Sequence, residues 1–157
     1  MREKIFRGSL LLLVTAVMAF AAWMLWPRSL GTAMDWESDL SAAIITSGAE
    51  VVDMSSQPYH NIEEYAIEAG SPEAAALRVI LSRYAYHLCW DSLSGETGIQ
   101  GIGSVTVEIY DPQGNGLTVH NGNGKLFLHG QVVRTGYFGS GAASALCEEL
   151  TAVLRGG

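Results

Sequence analysis

Three side chains in the last third of the chain carry the donor chemistry of a metal site: Glu108, His120 and His129. They fall in runs whose apolar residues recur every second position, VTVEIY from Val105, LTVHN from Leu117 and KLFLH from Lys125. Each run therefore reads as a strand, and a fourth, VVRTGYF, follows from Val132. The residues between the runs set the register. Asn123-Gly124 suits a two-residue type I′ turn and Gly130-Gln131 a type II′ turn. Val119 is then expected opposite Leu128 and Thr118 opposite His129, while Ile109 opposite Leu117 puts Glu108 opposite Thr118. One face of this meander would carry Val105, Val107, Ile109, Leu117, Val119, Leu126 and Leu128. The other would carry Thr106, Glu108, Tyr110, Thr118, His120, Phe127 and His129. A carboxylate and two imidazoles in neighbouring strands suit zinc or another transition metal. The same three residues also suit a solvent-facing sheet surface, and no fourth ligand or supporting shell is identifiable around them.

Other residue types with chemical potential have weaker patterns. Cys89 and Cys147 are the only cysteines. Paired outside a reducing compartment, their bridge would stabilise the fold by about 4 kcal/mol. As two small buried apolar residues they fit equally well, and their spacing matches no zinc or redox motif. Gly139-Ser140-Gly141 lacks the glycine two residues before the serine that a nucleophile elbow needs, since Phe138 stands there; Ser140 is better placed as a helix cap. The glycines from Gly95 to Gly103 are not followed by Lys-Ser/Thr and do not lie between a strand and a helix, so they are expected to turn a connection rather than hold phosphate. His60 and His87 have no acid or nucleophile at a telling spacing. No catalytic residue and no cofactor is expected.

The elements that position these residues begin with an apolar stretch, Gly8 to Trp26, which contains no charge. As a helix it would reach about 28 Å, close to the hydrocarbon thickness of a bilayer. Arg2, Lys4 and Arg7 precede it and Asp35, Glu37 and Asp39 follow, so the positive-inside rule places residues 1–7 in the cytoplasm and everything from about Leu30 onward outside, with Gly8 to Trp26 as a signal-anchor span. A cleaved signal peptide is the competing expectation, with Ala19-Phe20-Ala21 as its small-x-small site. It would leave Ala22-Trp23-Met24-Leu25-Trp26 as a greasy new N-terminus, which disfavours it. Residues 27–39 read as a short linker and 40–157 as one α+β domain.

Within that domain, LSAAIIT and EVVDM around Ser47-Gly48-Ala49 predict a hairpin over Leu40 to Met54. Ile62, Tyr65 and Ile67 suggest a helical turn that Gly70 would stop. Ser71-Pro72-Glu73 is a strong helix start, with a serine cap, proline at the first helical position and glutamate opposing the helix dipole. The helix is expected to reach Leu88, with Leu77, Ile80, Leu81, Tyr84 and Leu88 on its apolar stripe. A last helix from Ser140 carries Ala143, Leu146, Leu150 and Val153 on one side.

Charge narrows the function. The chain has a net charge of −7, but its first thirty residues hold four cations and one anion, so the outer part carries −10. Such a surface repels nucleic acid. The run VTVEIYDPQGNGLTVHNGNGKLFLHG, followed by RTGYF and a short terminal helix, resembles small extracytoplasmic domains of uncharacterised membrane-anchored or lipoprotein-like proteins of Gram-positive bacteria. Those proteins have no assigned activity; the reading placed first for this chain is a membrane-tethered binding, sensing or interaction module, held by one helix and meeting a cell-envelope protein. Two other classes are open: a metal-dependent enzyme or metal-binding protein using Glu108, His120 and His129, and a pilin-like subunit. The last would be cleaved after Gly8 and would need glutamate where Leu13 stands.

Overall fold

The computed structural model of the protein describes residues 2–34, 42–48, 60–95, 105–111, 116–122 and 124–156. It has an α+β fold: an N-terminal apolar helix, an eight-stranded antiparallel sheet and helices laid on that sheet. Helix α1 spans Arg2–Leu25, and its segment Phe6–Leu25 is long and apolar enough to cross a membrane; only its end, at Met24, packs partly against the core.

Pro27 follows α1 by two residues, and the chain then enters the sheet directly. Strand β1 (Arg28–Ser29) pairs with β4 (Ala85–His87), and a 3-10 turn, Leu30–Thr32, is capped by Ser29, whose side chain accepts from the Gly31 N–H. Leu30 is fully buried and Met34 nearly so. Residues 28–34, expected as linker, are thus part of the folded head. Two-residue pairing is too short to show a period, so only burial reveals it.

Strand β2 (Ala42–Gly48) pairs on one side with β3 (His60–Tyr65) and on the other with β5 (Val105–Tyr110). The first strand of the expected hairpin is present, but Ser47 and Gly48, expected in its turn, are strand residues paired with Asn61 and His60 of β3; EVVDM lies outside the described residues, as do 96–104 of the glycine-rich connection. The helical turn expected around Ile62 and Tyr65 is instead β3, an edge strand. Its alternation Asn61, Glu63, Tyr65 against Ile62, Glu64 has the period of two that a spacing of Ile62, Tyr65 and Ile67 obscured.

Helix α2 spans Pro72–Arg83, with the Ser71 side chain accepting from Ala74 N–H at 3.1 Å and Pro72 in the first turn, as its sequence dictates. It ends five residues earlier than expected. Tyr84 is extended (φ −104°, ψ 142°), and the aromatic, β-prone Tyr86 and His87 enter β4 between β1 and β8. Leu88 is buried all the same, delivered to the core by a strand. A short helix α3 (Trp90–Ser94) follows, closed by Gly95 in the left-handed region (φ 73°).

The meander β5, β6 (Gly116–His120), β7 (Lys125–Leu128) and β8 (Gln131–Thr135) forms the middle of the sheet, in the order β1-β4-β8-β7-β6-β5-β2-β3. Glu108 opposes Thr118 and Ile109 opposes Leu117, as the pattern dictates. The two later turns are shifted. Leu117, not Val119, faces Leu128, and the second turn is His129-Gly130, both at positive φ (50° and 81°). Asn121 explains the first shift: its N–H donates to the Val105 carbonyl and its side chain accepts from the Val105 N–H, which fixes it to β5 and starts the loop there. Both shifts are by an even number of residues, so no side chain changes face.

Val107, Ile109, Leu117, Val119, Leu126 and Leu128 are therefore all buried on the face covered by α2 and α4 (Gly141–Gly156). Ala143, Leu146, Cys147, Leu150 and Leu154 of α4 complete that core, with Val153 partly buried beside them.

Candidate functional site

Glu108 sits in the middle of β5, where it accepts the Tyr110 hydroxyl hydrogen bond at 2.5 Å. That bond, with burial second, holds the phenol protonated and pushes its pKa up to about 12. His120 closes β6 opposite Thr106, is 3% exposed, and accepts at Nδ1 from the Gly122 N–H at 2.9 Å. His129 belongs to no strand; it occupies a left-handed position at the β7–β8 turn and is exposed. The expected row of three ligands rested on Thr118 facing His129, and Thr118 faces Phe127 instead. Among the described residues, no three His, Cys, Asp or Glu side chains are placed to share a metal ion.

The cysteines are apart and free. Cys89 caps α3, its Sγ beside Asp91 Oδ2 (3.8 Å) and Ser92 Oγ (3.5 Å), and Ser92 in turn donates to the Val132 carbonyl of β8. Cys147, 1% exposed, donates to the Val105 carbonyl at the start of β5. Strands β8 and β5 are separated by β7 and β6, so these neighbourhoods stand three strand spacings apart, about 14 Å, beyond the span of a disulfide. Burial pushes the Cys147 thiol up to about 11. It is an inert, protonated group rather than a nucleophile.

A cleft of about 330 Å³ opens beside that thiol, between the start of β5 and α4. Val105, Cys147 and Ala152 give it apolar walls; Asn121, Glu148, Thr151 and Arg155 supply polar atoms. Arg155 is fixed there by Glu63 of β3, with Nε to Oε2 at 2.9 Å and Nη2 to Oε1 at 2.5 Å. The Tyr65 hydroxyl donates to the same carboxylate at 2.7 Å. The Arg155 hydrogen bonds, then Tyr65, hold Glu63 below the usual carboxylate range, and the pair fastens the last turn of α4 to the edge of the sheet.

A second group of residues surrounds the neck where α1 meets the head. Leu88 N–H donates to the Met24 carbonyl at 3.0 Å, and the Tyr137 hydroxyl to the Leu25 carbonyl at 3.1 Å. These bonds satisfy carbonyls that a helix end otherwise leaves open. Arg28 turns back over the Trp23 ring at 5.7 Å. Tyr137 stacks on His87 with centroids 4.8 Å apart; burial first, then the Arg134 charge, lower the His87 pKa and favour the neutral ring in that stack. Around the neck, Trp26, Trp90, Leu93, Tyr137 and Phe138 are exposed, Trp90 to 75% and Phe138 to 92%. Sequence periodicity does not single out the last four, because they lie in a one-turn helix and a glycine-flanked loop. Their signal is large apolar type in segments with no core-facing pattern.

Comparison with protein-family models, with curated proteins and with solved structures finds no match.

Proposed function

We propose that this chain is a single-pass membrane protein with a cytoplasmic N-terminus and an outward-facing head that works as a binding or sensing module. The α4–β5 cleft is its binding site in this reading. The observation that carries it is the cleft itself: apolar walls and a few fixed polar groups are the make-up of small-molecule sites, and its volume lies at their lower end. It would take a small, largely apolar ligand, or one apolar side chain of a cell-envelope protein, with a hydrogen-bonding group near Asn121 or Arg155. The anchor supports the same reading, because the 20 residues of Phe6–Leu25 rise about 30 Å, one hydrocarbon thickness. The basic flank supports the orientation.

The test has two arms on intact cells making the full chain. Glu68→Cys, at an exposed position between β3 and α2, should react with a charged, impermeant maleimide from outside, above the background of the parent chain. Labelling only after lysis would overturn the orientation. A photo-crosslinking residue at Ala152 should capture a discrete adduct that disappears when Thr151→Trp fills the cleft; an adduct indifferent to that substitution would remove the cleft from the proposal.

A further inference from the structure

We infer that the head rests on the bilayer rather than standing off it, with Trp90, Leu93 and the Tyr137-Phe138 loop seated among the lipid headgroups of the leaflet from which α1 emerges. This rests on the reading of α1 as a membrane span. If Phe6–Leu25 fills the hydrocarbon thickness, Met24 lies at its outer boundary, and the backbone of Leu88 is hydrogen-bonded to Met24 there. Cys89 is extended (φ −128°, ψ 179°), so Trp90 lies about 7 Å from Leu88. The headgroup layer beyond the hydrocarbon is about 5–7 Å deep on each side, which puts Trp90 within or beside it.

Composition points the same way. Beyond Pro27, six large apolar side chains are exposed among the described residues; Ile62 and Val79 lie elsewhere, and the other four belong to α3 and the loop after β8. Tryptophan and tyrosine are the residues that settle at membrane interfaces, with the ring in the apolar boundary and the polar tip wet. The single charge on α3, Asp91, is neutralised by Lys125 at 2.9 Å, so this surface offers no carboxylate to repel lipid phosphate. Tyr137 is tied to both sides of the contact, stacked on His87 of the head and bonded to Leu25 of α1. The occupant is therefore the lipid interface itself, continuous with the span.

Tryptophan fluorescence of the full chain in phosphatidylcholine vesicles tests this, with lipids brominated near the ester as quenchers. One variant keeps only Trp90 (Trp23→Phe, Trp26→Phe, Trp36→Phe); a second keeps Trp23 and Trp26 (Trp36→Phe, Trp90→Phe). The expected result is quenching of Trp90 as strong as that of the helix tryptophans, and its weakening when Leu93→Asp is added to the first variant. Quenched Trp23 and Trp26 beside an unquenched Trp90 would overturn the inference and leave the span intact. Quenching of neither would overturn both. Trp90 quenching indifferent to Leu93→Asp would overturn the seating of Leu93 at the interface.

Discussion

Cys147 lies under α4 with its thiol turned to the Val105 carbonyl, and burial raises its pKa to about 11 from an ordinary 9.0. In native protein at neutral pH, an alkylating reagent should modify Cys89 alone, and both thiols after denaturation; intact mass reads the difference directly. Two labels on native protein would contradict the burial, and none on denatured protein would mean a bridge had formed. The same shift makes stability depend on pH. The folded state favours the neutral thiol, so its contribution is complete below pH 9, where both states are protonated, and is lost as pH rises through about 11. The size of that loss is on the order of 2–3 kcal/mol, visible as a falling urea midpoint in the wild type and a flatter one in Cys147→Ala. Glu108, His120 and His129 show what residue types alone convey. Their faces follow from parity, but their assembly needed a turn position that Asn121 decides through a bond to β5, sixteen residues away in sequence.

At the scale of elements, the segment just after α1 carries more of the head than its sequence suggests. Leu30 is fully buried, and Gly31 passes so close to α2 that an added Cβ would lie 2.8 Å from Ser82 Cα. Leu30→Ala should cost about 2–5 kcal/mol, as for any fully buried leucine that leaves a cavity. Gly31→Ala should also destabilise, by forcing the turn away from α2. A denaturant series showing both variants equal to wild type would return this segment to the role of a linker. Strands β5 to β8 were legible because their apolar residues alternate over four or more positions and glycine-rich turns separate them. Strand β4 was not, because Tyr84 and Leu88 continue the three-four spacing of α2 while the backbone between them has already left the helix. Strand β1 was not, because two residues carry no period.

For the whole molecule, the head begins at β1, so a chain from residue 27 should fold more stably than one from residue 35. The shorter chain lacks β1, Leu30 and Met34, and leaves the β4 edge bare. Thermal melts of the two separate the cases; equal midpoints would show that the neck adds nothing. The fold class was legible because an apolar run, a capped helix and an alternating meander each stand out alone. The neck contacts and the cleft were not legible, because each joins residues far apart in sequence, Met24 with Leu88 and Glu63 with Arg155.

The strand order also dictates when the sheet can close. β4, with β1 on it, reaches the remaining strands only through β8, and β2, with β3 on it, only through β5. During synthesis the first half of the head therefore emerges as two pairs with no strand between them, and the centre of the sheet is made last. Until the meander and α4 arrive, Leu30, Ile45, Leu77 and Leu81 have only part of the surface that buries them, so the apolar residues of the first half stay exposed until the last third of the chain has been made.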